Sequence, residues 1–113
     1  MDDAARTAPG SCVRTLVIDD DPSIVRFLEL YLGANGFAIH AALTGQEGLA
    51  LAERLVPDVI LLDYAMPHLA GKEVLRRLRE NERTVGIPVV VLTARFGDTI
   101  KGAELGVDDY ISM

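Results

Sequence analysis

Two apolar segments constrain the fold of this chain more than any other feature. Residues 59–62 of DVILLD are all apolar, and so are residues 89–92 of VVVLT, which follow Pro88. A strand without alternating polar positions must be covered on both faces, which is typical of a parallel sheet between two layers of helices. The two segments therefore predict an α/β fold rather than an antiparallel sheet with one face open to water.

Strands and helices alternate along the chain. We predict strands at Thr15–Ile18, Phe37–Leu43, Asp58–Asp63, Val89–Thr93 and Val107–Ile111. Apolar residues at helical spacing follow the first four strands, near residues 24–32, 47–55, 74–81 and 99–105. Right-handed crossovers then give a doubly wound parallel sheet with helices on both faces.

Composition narrows the classes of protein to which the chain can belong. Its 113 residues suffice for one domain: we expect a disordered lead-in over residues 1–13 and a folded unit over residues 14–113. A net charge of -6 argues against direct binding of nucleic acid or anionic lipid, and no apolar run is long enough to span a membrane. One cysteine, Cys12, excludes a disulfide within the chain and favours a cytoplasmic location.

Three predicted strands end in side chains that could form a site. The first strand runs into Asp19, Asp20 and Asp21, the third ends in Asp63, and the fourth ends in Thr93. In open parallel sheets, ligands bind outside the carboxyl ends of the strands. Neighbouring carboxylates repel one another, and a divalent cation removes that conflict. A few hard oxygen ligands suit Mg²⁺, so we predict a magnesium site built on Asp19, Asp20 and Asp63.

A metal beside Asp63 also suggests phosphoryl chemistry. An aspartate can act as a nucleophile and carry a phosphoryl group, and the hydroxyl of Thr93 could donate to a phosphoryl oxygen. No glycine-rich loop follows the first strand, which argues against a nucleotide-binding site there. Each residue also has a structural interpretation, since Asp often caps helices and Thr suits any strand. Asp21 fits best as the cap of a helix that begins at Pro22.

Four segments resemble the receiver domain of bacterial two-component response regulators. They are LVIDDDPS, DVILLDYAMPHLAG, PVVVLTA and GVDDYIS, and the resemblance covers about Thr15 to Met113. It implies a flavodoxin-like sheet of five strands in the order 2-1-3-4-5. It also implies a histidine kinase or phosphotransfer protein as phosphodonor, and an output domain or partner protein that responds.

The resemblance implies a role for each matching residue. Asp63 would be the phosphoacceptor, Asp20 a direct Mg²⁺ ligand and Asp19 a residue that acts on the metal largely through water. The backbone carbonyl of Ala65 would complete the protein ligands. A switch would consist of the Thr93 hydroxyl and the Tyr110 ring. Apart from self-catalysed transfer and loss of the phosphoryl group, such a domain is not an enzyme.

Two departures from the family pattern leave alternatives open. Met113 stands where receiver domains carry a lysine, and no residues remain for a fifth helix, so we expect a domain truncated before that helix. One sheet face would lack its cover near the last strand, and a homodimer could supply it. The alternative function is a degenerate receiver that acts as an adaptor or dimerisation module without phosphorylation. A phosphatase is disfavoured, because neither Tyr64 nor Ala65 is the second acid that such enzymes usually keep near the nucleophile.

Overall fold

The computed structural model describes residues 13–64, 66, 70–93 and 109–112. The five strands are β1 (Val13–Ile18), β2 (Phe37–Ala42), β3 (Val59–Asp63), β4 (Val89–Thr93) and β5 (Asp109–Ser112). The three helices of this part of the chain are α1 (Pro22–Gly33), α2 (Gly45–Leu55) and α3 (Gly71–Glu80). None of these helices is long and apolar enough to cross a bilayer.

The strands form one sheet in the order β2-β1-β3-β4-β5, and every neighbouring pair is parallel. This confirms the predicted doubly wound α/β fold and its strand order. The central strand β3 pairs with β1 on one side and with β4 on the other. Its carboxyl end therefore lies between the ends of two other strands that carry polar residues.

Apolar side chains cover both faces of the sheet, which explains why the strands show no alternation. The larger cluster lies on the face of α2 and α3 and includes Leu16, Ile18, Ile60, Leu62, Val89 and Val91 from the strands. The smaller cluster lies on the face of α1 and joins Val17, Leu61 and Leu92 to Val25 of the helix.

One sheet face is expected to lack its cover near the last strand. On the face beneath α1, Leu61 of β3 and Leu92 of β4 are buried and Val90 is half-buried. The last strand is β5, and its side chains lie outside the described residues. The expected exposure near that strand therefore stays a prediction.

Side chains cap the start of two helices, and the sequence predicts the first of these caps. Asp21 is the N-cap of α1, where its carboxylate accepts a hydrogen bond from the Ser23 amide at 2.8 Å, and Pro22 is the first helical residue. Thr44 caps α2 by accepting from the Glu47 amide at 3.1 Å, and the Glu47 carboxylate accepts from the Leu43 amide. The two side-chain caps fix where the chain turns from the sheet into each helix.

Several element boundaries differ from the prediction. β1 begins at Val13, two residues early, because Val13 and Arg14 already pair with β2. Asp58 also binds the main chain of Arg14: the Arg14 amide donates to the Asp58 carboxylate and the Arg14 carbonyl accepts from the Asp58 amide, both at 2.8 Å. The strand therefore includes Val13, which the sequence prediction assigns to the lead-in. The helix predicted near residues 99–105 lies outside the described residues.

Candidate functional site

Three carboxylates converge at the carboxyl edge of the sheet. One oxygen from each of Asp19, Asp20 and Asp63 lies within 4.8 Å of the other two. The sheet register explains the convergence, because Ile18 of β1 pairs with Leu62 of β3. Asp19 and Asp63 are therefore the next residues along two adjacent parallel strands, as the sequence predicts.

Asp19 is the fixed member of this acidic cluster. Only 4% of its surface is exposed. Its amide donates to the Ala42 carbonyl at 3.0 Å, and its carboxylate accepts from the Asp21 amide at 2.9 Å. Both bonds hold the carboxylate in place beside Asp63.

Burial is the main cause that raises the pKa of the Asp19 carboxyl above its usual value of 3.8. The charges of Asp20 and Asp21 raise the pKa further. Hydrogen bonds from the Asp21 amide and with the Asp63 side chain lower it without cancelling the shift. The ionised form of Asp19 is thus disfavoured where it stands, which is the electrostatic condition that a cation would relieve.

Solvent reaches the acidic cluster from one side. Asp20 is exposed and Asp63 is half-buried, in contrast to Asp19. Asp21 is exposed and does not belong to the cluster, and its carboxylate caps α1. The structure therefore separates the three successive aspartates into a buried member, an exposed member and a helix cap.

The donor set fits magnesium. Three carboxylate oxygens supply hard, negatively charged ligands, and the solvent-facing side leaves room for the water molecules that Mg²⁺ usually retains. Zinc sites are usually built on Cys and His, and this group contains neither. His40 is exposed on β2.

The other predicted site residues are described only in part. The backbone of Thr93 ends β4, one residue beyond Leu92, which pairs with Asp63. The backbone of Tyr110 lies in β5 and pairs with Val91. The side chains of Thr93 and Tyr110 lie outside the described residues, as do Ala65 and Met113.

Sequence reasoning missed how the backbone at Asp63 is held. The Tyr64 amide donates to the Leu92 carbonyl at 3.2 Å, which extends the ladder from β3 to β4 by one bond. On the other side, Gly71 of α3 approaches the backbone of both Asp63 and Tyr64. The available signal was a glycine eight residues after the acidic strand end and three residues before the predicted helix.

A model of the response regulator receiver domain matches residues 15–112, nearly the whole chain. The chain belongs to the response regulator receiver domain family. One relative is the DNA-binding dual master transcriptional regulator RpaA of Synechocystis, which is 44% identical over 101 residues. That match covers 88% of this chain and 42% of RpaA. The chain therefore spans about two fifths of the length of this curated relative.

Solved structures show the same fold. The N-terminal domain of a response regulator receiver protein from Methanoculleus marisnigri is 35% identical, with a TM-score of 0.82 over 88% of this chain and 82% of that one. The receiver domain of the sensor histidine kinase PA1611 from Pseudomonas aeruginosa is 28% identical, with a TM-score of 0.80 over 89% and 84% of the two chains. The latter structure has a magnesium ion coordinated in its active-site cleft.

Proposed function

We propose that this receiver domain accepts a phosphoryl group on Asp63 from a histidine kinase or a phosphotransfer protein, in a step that requires Mg²⁺. The observation that supports this most directly is the convergence of Asp19, Asp20 and Asp63 at the carboxyl edge of a parallel sheet. Membership of the receiver family supports the same chemistry.

Exposure and anchoring favour Asp63 as the acceptor. Asp19 is buried and engaged by the Asp21 amide, so a bulky phosphodonor cannot approach it in line. Asp63 is half-buried, and hydrogen bonds to both neighbouring strands hold the backbone of β3. Its carboxylate oxygen forms the new bond to phosphorus while the bond from phosphorus to the histidine nitrogen breaks, and that nitrogen keeps the electron pair.

Asp19, Asp20 and Asp63 would hold the magnesium ion, with the backbone carbonyl of Ala65 as the fourth protein ligand. When bound, Mg²⁺ neutralises the crowded carboxylates and the negative charge of the incoming phosphoryl oxygens. The magnesium ion in the PA1611 receiver domain supports this assignment. We further propose that Asp20 contacts the ion directly and that Asp19 acts largely through water.

The response to phosphorylation would pass through Thr93 and Tyr110. These residues end β4 and lie in β5 respectively, so their backbones belong to adjacent strands. The Thr93 hydroxyl would donate to the phosphoryl group, and the Tyr110 ring would change position with it and alter a surface for an output domain or partner protein. RpaA is named as DNA-binding, but the net charge of -6 makes this domain itself unsuited to nucleic acid. We place the domain in the cytoplasm, where histidine kinases obtain phosphate from ATP.

Intact mass measurement after incubation with acetyl phosphate tests the proposal. The wild type should gain one phosphoryl group with Mg²⁺ present and none after chelation. Asp63→Asn should gain none, whereas Asp21→Asn should behave as the wild type because Asn can also cap α1. An equal gain in Asp63→Asn, or no gain in the wild type, would contradict the proposal.

The adaptor alternative predicts a different outcome. It requires that phosphorylation leave oligomer size and partner affinity unchanged. It rests on Met113, which lies outside the described residues, and on the expected lack of a fifth helix. No observation on the described residues favours it. Sedimentation of the phosphorylated and unphosphorylated domain distinguishes a switch that acts through self-association from the absence of any change in assembly.

A further inference from the structure

Gly71 makes an unusually close approach to the backbone of the proposed phosphoacceptor. A Cβ atom built on Gly71 would lie 2.5 Å from the Cα of Tyr64 and 2.8 Å from the carbonyl oxygen of Asp63. Both distances are shorter than real Cβ contacts. Only glycine therefore lets the first turn of α3 rest on the Asp63–Tyr64 peptide.

Neither partner in this contact can move away easily. α3 is anchored in the larger core cluster by Val74, Leu75 and Leu78, all at most 1% exposed. β3 lies between β1 and β4, and the Tyr64 amide is bonded to the Leu92 carbonyl. An added methyl group would have to displace the helix start or the strand end that carries Asp63.

A second glycine shows that this contact is specific to the site. Gly48 of α2 is equally crowded, since its Cβ would lie 2.6–2.8 Å from Ile18, but the atoms it meets belong to a side chain. At Gly71 the nearest atoms are backbone atoms of the acceptor and the next residue. A methyl group added at Gly48 would thus disturb core packing. A methyl group added at Gly71 would instead displace the main chain that orients the acceptor carboxylate.

We infer that Gly71 is a positioning residue for Asp63: by lacking a Cβ, it lets α3 brace the Asp63–Tyr64 peptide and so fixes the acceptor carboxylate against Asp19 and Asp20. This role rests on the proposed function. Displacements of about 1 Å can cost about a hundredfold in rate, so a brace of this kind affects reactivity and metal affinity as well as stability.

The test compares Gly71→Ala with Leu78→Ala, both in a Gly33→Ala background. Gly33 ends α1, and its added Cβ meets nothing within 4 Å, so alanine there stabilises the fold away from the site. Leu78→Ala weakens the packing of the same helix about two turns from Gly71. The readouts are the Mg²⁺ dissociation constant by calorimetry and the initial rate of phosphorylation by acetyl phosphate, both per folded molecule.

Gly71→Ala should lower the phosphorylation rate at saturating Mg²⁺ and weaken Mg²⁺ binding, each by about tenfold or more. Leu78→Ala should change both by no more than about twofold, even where it loses as much stability. Equal effects of the two variants would overturn the inference. If the Gly33→Ala background protein itself is not phosphorylated, the proposed function fails. The Mg²⁺ affinities of Gly71→Ala and Leu78→Ala, compared with each other, still decide the role of Gly71.

Hydrogen exchange of the wild type provides the test if Gly71→Ala does not fold. The Val74 amide donates to the Ala70 carbonyl in the first turn of α3, and the Tyr64 amide donates to Leu92 at the end of β3. A brace that joins the helix start and the strand end into one unit should make both amides open together, with similar protection factors. Protection that is more than about tenfold lower at Val74 would show that the helix start opens independently and would overturn the inference.

Discussion

Replacing Asp19 by asparagine should stabilise the metal-free domain at neutral pH. Unit charges 4.8 Å apart, the upper limit for this acidic cluster, repel by about 3.5 kcal/mol at an effective dielectric constant of about 20 and by about 0.9 kcal/mol at about 80. Asp20 is exposed, so the repulsion between Asp20 and Asp19 lies near the lower value. Asparagine retains an acceptor for the Asp21 amide, so we expect a net gain of about 1–2 kcal/mol in the free energy of unfolding.

The stability gained by Asp19→Asn should increase as the pH rises. Folding raises the pKa of Asp19 above 3.8, so the folded protein binds this proton more tightly than the unfolded chain. The contribution of Asp19 to stability therefore falls as the pH rises from 3.8 through the raised pKa. The advantage of Asp19→Asn should be largest at neutral pH and should shrink below about pH 4.

Urea denaturation at pH 7 and pH 3.5, with and without Mg²⁺, measures these differences. Mg²⁺ should stabilise the wild type by an amount set by its concentration relative to the dissociation constant, and should stabilise Asp19→Asn less. Asp21→Asn is the matched control, since it removes a neighbouring charge outside the acidic cluster and keeps the helix cap. A variant no more stable than the wild type at pH 7, or one equally favoured at both pH values, would refute the reasoning.

Three further predictions concern packing and surface charge. Gly48→Ala should cost about 1–3 kcal/mol of unfolding free energy because its Cβ would overlap a buried side chain of β1, whereas Gly86→Ala, where nothing lies within 4 Å, should stay within about 0.5 kcal/mol. Ala70 is the N-cap of α3 with extended backbone and no capping bond, so Ala70→Ser should raise the unfolding free energy by about 1 kcal/mol in urea titrations, and a loss would contradict this. Hydrogen bonds from Arg76, and then from Arg77, lower the pKa of Glu73 to about 2; its NMR titration midpoint should rise in Arg76→Gln, and an unchanged midpoint would exclude that ion pair.

Much of the fold could be predicted because a strand that is buried on both faces has an uninterrupted run of apolar residues in its own sequence. The apolar runs of β3 and β4 admit few arrangements other than a covered parallel sheet. The cap of α1 could also be predicted, since the role of Asp21 before Pro22 depends on neighbouring residues alone. The convergence of Asp19 with Asp63 followed from topology, because the carboxyl ends of neighbouring parallel strands lie at one edge.

Features that depend on contacts between distant backbones could not be predicted. β1 starts at Val13 because Val13 pairs with Phe37 of β2, and Asp58, far along the chain, binds the main chain of Arg14. Val56 ends α2 in the left-handed region at φ 43°, a conformation that a β-branched residue rarely adopts and that no local sequence rule assigns to it. The contact of Gly71 with the Asp63 peptide depends on how α3 packs against the sheet. The spacing of apolar residues in the helix does not specify that packing.

The fixed positions of the carboxylates explain both why the acidic cluster can bind a cation and why it destabilises the metal-free domain. A loop could relax three carboxylates apart, but Asp19 and Asp63 follow paired residues on adjacent strands whose separation the ladder fixes. Asp19 is further held by two backbone hydrogen bonds, and Asp63 adjoins the contact with Gly71. Their crowding therefore persists in the metal-free fold, since the carboxylates cannot move apart. A rigid site whose negative charges are crowded binds a cation strongly, because the cation neutralises them. The same crowding therefore lowers the stability of the metal-free domain and raises its affinity for Mg²⁺.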